Sequence, residues 1–396
     1  MMINNSDSTA YVDYYNQINK IPVSQVVNTT HRIRRKMLYR ALGIHPFSIR
    51  GSNVLELGSG TGDNAVVLSE LGPSRLTLVD GSIPSYKALK EAQDHGLFKC
   101  PVDIIYTNIY NFIPQSAFDL IICEGCSAQG NPHQFFSKIL ELNINEYGIY
   151  ALSTADTLSL LPELLRMNWW HQIDEIEPSL RLDFATKLFS PDFSALPGAS
   201  RSCSDWVIDN ILHPRPRNWS FGLDDLLHLI INSSQPLSFM GSSPGFTTDW
   251  NWYKNFPSQQ RSTNLRVLEQ WSSNELYTID YRISTMEIAN EPLPPNLTNE
   301  VKSLTRMISA NTCNIYTSSF ADRCDLISDT IRALKAIYKL ILPFESFKYT
   351  ILSMKASIDE LNNLLPSVNP REYRSTFKDW WGRGQQYISL TKDINF

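Results

Sequence analysis

Residues 54 to 64 read Val-Leu-Glu-Leu-Gly-Ser-Gly-Thr-Gly-Asp-Asn, and the chemistry in this stretch lies in its acid and its glycines. Gly58, Gly60 and Gly62 stand at alternate positions behind Glu56, so the main chain here can turn tightly and meet a ligand with no Cβ in the way. A second acid, Asp80, closes the apolar run Leu76-Thr-Leu-Val, about where a carboxylate grips the ribose in a nucleotide-binding βαβ unit. Binding of a nucleoside is the chemistry implied. A dinucleotide fingerprint, G-x-G-x-x-G, would need its third glycine at position 63, which is Asp63. That spacing argues against a nicotinamide oxidoreductase.

The elements that must hold these residues follow from the apolar pattern. Val54, Leu55 and Leu57 fit a buried parallel strand, and Ala65, Val66, Leu68, Ser69 and Leu71 continue at helical spacing. Leu76–Asp80 is a second strand and Val102–Tyr106 a third, with a helix from Tyr86 to Gln93 between them. A fourth strand runs through Phe118–Cys123 into Glu124 and Gly125, and a fifth through Tyr147–Thr154. Leu223, Leu226, Leu227 and Ile230 give one face of a helix for which Ser220 is a candidate N-cap, and Pro236–Met240 suits strand six.

The pattern Glu56-x-Gly58-x-Gly60-x-Gly62, with its flanking strand and helix and with Asp80, resembles motif I of the class I S-adenosylmethionine-dependent methyltransferases. The resemblance covers residues 51–154 by specific motifs and 205–255 more loosely. It implies an α/β, Rossmann-like seven-stranded methyltransferase sheet with an N-terminal helical cap and a helical insertion or C-terminal helical subdomain. The implied cofactor is S-adenosyl-L-methionine. Its methionine moiety would lie against the glycine turn and its ribose at Asp80, within a cofactor-binding set of Glu56, Gly58, Ser59, Gly60, Gly62, Asn64, Asp80, Gly81, Ser82, Asn108, Ile109, Glu124 and Gly125. Asn108, with Ile109, stands where the family contacts the adenine amine, although Asp is commoner there. Glu124 and Gly125, with Cys126 and the following residues to His133, would sit at the mouth of the site, because open α/β sheets bind ligands beyond the carboxyl ends of their strands.

Methyl transfer from a sulfonium is an in-line displacement, so the enzyme must chiefly align acceptor and methyl group in a dry pocket. No metal is required. An oxygen or nitrogen acceptor that carries a proton calls for a base, and His133 and Glu124 are the candidates. Each has a bland alternative: Glu124 as a group that only orients the cofactor, His133 as part of a capped helix start after Asn131-Pro132. Cys123-x-x-Cys126 has metal-ligand spacing, but Cys123 lies inside a predicted strand and no second pair accompanies it, so the metal expectation is none. Trp169, Trp170, Trp219, Trp250, Trp252 and Tyr253 either line an acceptor pocket or form core. His213, Arg215 and Arg217 either clamp an anionic substrate group or pair within the fold.

At 396 residues the chain is long enough for two domains or one with large insertions. Residues 1–50 read as a helical cap, in which Ile33, Met37, Leu38, Ala41 and Leu42 form one helix face and the arginines largely the other; that basic face is either solvated or part of a lid over the cofactor. Residues 51–255 read as the core, with a helical insertion at about 155–217. Residues 256–380 form a helical subdomain, and 381–396 contain the candidate last strand, around Tyr387, Ile388 and Leu390. The subdomain is either inserted between strands six and seven or a separate domain, and it is the surface through which a homodimer would form. Lys plus Arg number 35 and Asp plus Glu 40, a net charge of −5 that offers no footprint for nucleic acid. The polar start, the absence of a spanning apolar run and the scattered cysteines point to a cytoplasmic protein with reduced thiols and no membrane partner. The expected partner is a small-molecule or peptide acceptor.

Overall fold

The computed structural model describes residues 6–22, 27–126, 131–213, 220–233, 235–247, 253–255, 259–284, 291, 293–294, 296–365 and 378–392. The chain divides into two compact units. The first is assembled from Met1–Thr154, Phe221–Trp271 and Gln385–Phe396, the second from Ala155–Ser220 and Ser272–Gly384.

The first unit is built on one sheet. Its strands are β1 (Asn53–Leu57), β2 (Arg75–Asp80), β3 (Val102–Tyr106), β4 (Phe118–Cys123), β5 (Ile144–Asp156), the two-residue β6 (Ser220–Phe221), β7 (Leu237–Ser243) and β8 (Gln386–Lys392). The order is β3-β2-β1-β4-β5-β8-β7, with β6 paired to β5 off that path. Strands β1 to β5 pair in parallel, whereas β8 runs antiparallel to both β5 and β7. The expected α/β sheet, closed by an antiparallel strand from the end of the chain, is therefore the one observed.

Alternation along the strands divides the core into two layers. Leu55, Leu57, Ile121, Cys123, Tyr150 and Leu152 face one side, against Phe135 and Phe136 of the helix Pro132–Leu140 and Leu226 and Leu227 of the helix Leu223–Ile231. Val54, Leu76, Leu78, Leu120 and Ile122 face the other, against Tyr39, Leu42, Leu68 and Leu89. Strand order reverses between β1 and β4, so the crevice at their carboxyl ends is the natural ligand position for such a sheet.

Three helices frame that crevice. Helix α1 is Ser6–Ile18, α2 is Thr29–Ala41 and α3 is Asp63–Ser69. Asn28 caps α2 by accepting a hydrogen bond from the His31 N–H at 2.9 Å. The face that α2 buries is only in part the apolar one: Leu42 is buried and Leu38 half-buried, but Ile33 and Met37 are 57% and 55% exposed, while His31, Arg35 and Tyr39 point inward. Arg35 finds an acid, Glu124, directly after β4.

Two other details depart from the sequence reading. The helix Leu223–Ile231 is capped at Gly222, not Ser220, because the Asp225 carboxylate reaches back to accept from the Gly222 N–H at 2.9 Å. The helix Gln260–Asn274, expected within the helical subdomain, belongs mostly to the sheet unit. Val267, Leu268 and Trp271 enter its core, and the Asn264 side chain bonds the Leu237 carbonyl at 2.8 Å.

The second unit is helical, and its two stretches of chain share one interior. Its longest helices are Arg181–Ala195, Leu297–Ile315, Phe320–Ile341 and Lys348–Leu364. Buried Arg166 pairs with Asp192 at 2.9 Å, donates to the Trp380 carbonyl and lies 4.0 Å over the Trp381 ring. Trp169 donates to the Glu360 carboxylate at 2.9 Å, and Asn168 reaches Thr312. Among the described residues no helix is long and apolar enough to cross a membrane.

Candidate active site

Backbone geometry at the end of β1 accounts for the glycines one at a time. Gly58, Gly60 and Gly62 have φ of 70°, 55° and 83°, the left-handed region that side chains disfavour. At Gly58 a Cβ would come within 2.1 Å of the Cys126 sulfur, and at Gly62 within 2.7 Å of Leu89. Two of the three therefore make room for protein atoms. Gly60 instead turns its N–H to the Asp80 carboxylate, at 3.0 Å. Asp80 also accepts from the N–H and the hydroxyl of Ser82, each at 2.9 Å, and Ser85 donates to the Gly60 carbonyl. Loss of solvation raises the Asp80 pKa against these hydrogen bonds, which lower it. A carboxylate accepts about four hydrogen bonds, and the Ser85 hydroxyl acts on Asp80 beside these three donors, so a ribose hydroxyl would take the place of a serine hydroxyl that rotates away.

The other expected cofactor residues are placed as follows. Ser59 is buried and donates to the Glu56 carbonyl, and Asn64 is the second residue of α3. Gly81 lies under α1, where Val12 is 3.2 Å from the position of a Cβ, and Asn16 accepts from the Ile83 N–H at 2.7 Å. Asn108 caps the short turn Ile109–Asn111 by accepting from the Tyr110 N–H, so its oxygen is in part engaged, and Ile109 is buried behind Gly58.

Beside the glycine turn lies a cluster of charge. Leu57 pairs with Cys123 in the sheet register, so Glu124 follows directly next to Gly58. Both carboxylate oxygens of Glu124 accept from Arg35, at 2.7 Å each, in a bidentate pair whose side chains are 8% and 11% exposed. Arg35 also donates to the Tyr39 hydroxyl at 3.1 Å, and burial pushes that phenol up to about 12. Glu56 points to the same side of the sheet as Tyr39. It is buried, its Oε2 has no hydrogen-bond partner, and desolvation with Glu124 nearby pushes it up to about 8. His31, one turn before Arg35, is buried with Nε2 unpartnered; burial and then the Arg35 charge lower its pKa. Gly125, at φ 72°, donates to the Ser153 hydroxyl at 2.9 Å, and Tyr387 stands opposite Ser153 on β8, its hydroxyl bonded to Gln385.

The two candidate bases stand in different settings. Glu124 lies in the crevice, held by Arg35. His133 is exposed in the first turn of the helix Pro132–Leu140, which Asn131 caps, and its ring meets Phe221 edge-on at 4.8 Å. Among the described residues His133 makes no hydrogen bond or ion pair, and residues 127–130 lie outside them. Cys123 and Cys126 are buried free thiols; a hydrogen bond between them and burial raise Cys123, and no metal-holding group is found among the described residues.

Trp169 is core and Trp170 stacks on Tyr316 at 4.9 Å, both in the helical unit. Tyr253 begins a short 3-10 turn, whereas Trp219, Trp250, Trp252, Arg215 and Arg217 lie outside the described residues. His213 is buried in the helical unit. The residues that sequence reasoning missed are His31, Arg35, Tyr39 and Tyr387. The first three recur every fourth residue along one helix face, but that spacing does not show the partner that draws them inward.

No family model matches the chain, and no curated protein does. Among solved structures it is similar to magnesium protoporphyrin IX methyltransferase from Synechocystis PCC 6803 with bound SAM, at 19% identity over 38% of this chain and 76% of that one, TM-score 0.30. It is similar to a DhpI–SAM–HEP complex at 20% identity over 39% of this chain and 69% of that one, TM-score 0.30. An S-adenosylmethionine-dependent methyltransferase from Mesorhizobium loti is 20% identical over 28% of this chain and 50% of its own, TM-score 0.25. At such low similarity, the reading of the site rests on this chain's own residues.

Proposed function

We propose that this chain is a class I methyltransferase that moves a methyl group from S-adenosyl-L-methionine to an oxygen or nitrogen of a small-molecule acceptor. The observation that carries the reading is the glycine turn at the end of β1, joined through the Gly60 N–H to Asp80 at the end of the neighbouring strand. That pairing sets a bare main-chain edge beside a carboxylate at the switch point of the sheet, the arrangement a nucleoside needs. Glu56, with an orphaned buried oxygen, suits the positive charge of this cofactor, whereas a dinucleotide would bring an anionic pyrophosphate to the glycine turn.

The cofactor, when bound, supplies an electrophilic methyl group. The chain's part is to bind and align. Asp80 with Ser82 would take the ribose hydroxyls, the Gly58–Gly62 main chain the amino-acid end, and Asn108 with Ile109 the base. Val12 and the buried face of α2 exclude water from above. Arg35 engages both oxygens of Glu124 and fixes it in place beside the crevice, so Glu124 suits an electrostatic wall more readily than a proton carrier. Tyr387, Gln385 and Ser153 border the acceptor side of Gly125. The net charge of −5 favours a small or peptide acceptor over a nucleic acid.

Calorimetric titration with S-adenosylmethionine and with NAD tests the binding step. Saturable heat with the first and none with the second is expected, and the reverse pattern would overturn the reading. Incubation with methyl-labelled cofactor and fractionated metabolites then identifies the acceptor by the fraction that takes up label as S-adenosylhomocysteine is released.

A further inference from the structure

Resting on that reading, we propose that the crevice captures its cationic cofactor in exchange for a proton held on Glu56. The geometry sets up the exchange. Three carboxylates, Glu56, Asp80 and Glu124, converge at the carboxyl ends of β1, β2 and β4, and one guanidinium, Arg35, faces them. Fully ionised, three negative charges against one positive would leave the buried cluster two negative charges in excess. Arg35 gives its terminal nitrogens to Glu124 and Tyr39. Asp80 is stabilised by the Gly60 and Ser82 donors. Glu56 has neither: it is 5% exposed and its Oε2 meets no donor. Burial of such an oxygen is tolerable when the group is protonated and costly when it is charged.

The remaining titratable groups around Glu56 do not displace it from this role. From α2 come His31, which burial and Arg35 keep neutral, and Tyr39, whose phenol stays protonated up to about 12. From β8 comes Tyr387, whose phenol burial raises, and Asp63 begins α3. With the Glu56 carboxyl at about 8, the empty site holds its proton at neutral pH. A ligand bearing a sulfonium, an ammonium and a carboxylate, net +1, brings the positive charge that the cluster lacks, provided its cationic groups face Glu56. The balance is one carboxylic acid plus one cofactor giving one carboxylate–cation pair plus one proton to solvent. The product thioether keeps the ammonium and loses the sulfonium, so departure of product returns the proton.

Titration calorimetry of the full chain with S-adenosylmethionine, in buffers of different ionisation enthalpy near neutral pH, counts the protons released. Close to one per cofactor is expected, with affinity rising about tenfold per pH unit below pH ~8 and levelling above it. The Glu56→Gln variant should bind without release and without that slope, which removes any share from His31 or from the ligand's own amino group. Should that variant fail to fold, a protonated-carboxyl infrared band of the unaltered protein that vanishes on binding gives the same answer. S-adenosylhomocysteine in the same cell separates the two cations: equal release assigns the exchange to the ammonium, lost release to the sulfonium. Tight binding with no proton released overturns the exchange and leaves the methyltransferase reading standing, whereas no binding of S-adenosylmethionine at all removes both.

Discussion

A methyl group added at Gly58 would stand 2.1 Å from the Cys126 sulfur, on a backbone whose φ is 70°. Two costs are combined there, and a paired substitution separates them. Gly58→Ala should lose about 2–5 kcal/mol of stability, the sum of a left-handed alanine and an overpacked contact. In a Cys126→Ala background the same change should cost only the conformational part, about 1–2 kcal/mol. Urea denaturation of the four proteins checks this, and equal losses in both backgrounds would show that the sulfur exerts no pressure on the turn. Asp80 offers a second test at this scale. Asp80→Ala should weaken S-adenosylmethionine binding by about 1–3 kcal/mol, the usual consequence of leaving buried partners unpaired, here the ribose hydroxyls that Asp80 would take. Calorimetry reads it directly, and an unchanged affinity would remove Asp80 from the ribose position.

At the scale of elements, α2 shows where a sequence stops being readable. The strands, the glycine turn and the helix after it were legible because each depends on neighbours a few residues away. The orientation of α2 depends on Glu124, 89 residues further on, through a buried ion pair that no periodicity reports. Its apolar residues Ile33 and Met37 suggested one face, and the polar stripe His31, Arg35, Tyr39 took the interior instead. If the Arg35–Glu124 pair sets that orientation, breaking one side of it should be worse than removing both. Arg35→Met, which leaves Glu124 buried without its partner, should cost about 3–5 kcal/mol, and adding Glu124→Gln should recover most of the loss. Chemical denaturation of single and double variants decides it; a double variant as unstable as the sum of the singles would mean that packing, not charge, holds α2 down.

Over the whole molecule, the division into units follows the return of the chain and not its order. Strand β8 was legible from Tyr387, Ile388 and Leu390, since alternation at the end of a helical region is a local signal. That residues 155–220 and 272–384 share one interior was not, because contacts such as Trp169 with Glu360 join positions 191 residues apart and leave no trace in either segment alone. Stability of the ligand-free protein should nonetheless carry the mark of one residue of the sheet unit. Glu56 has a folded pKa of about 8, whereas an unfolded chain returns it to about 4.3. Between those values the native state keeps a proton that the unfolded state has lost, so this group's contribution to stability falls as pH rises through the window and levels off above it. Glu56→Gln removes the titration. The variant and the unaltered protein should therefore be nearly alike at pH ~5, and by pH ~8 the variant should be the more stable by on the order of a few kcal/mol. Urea midpoints of both proteins across that range measure the difference, and a gap that stays flat with pH would mean that Glu56 is ionised in the folded protein throughout.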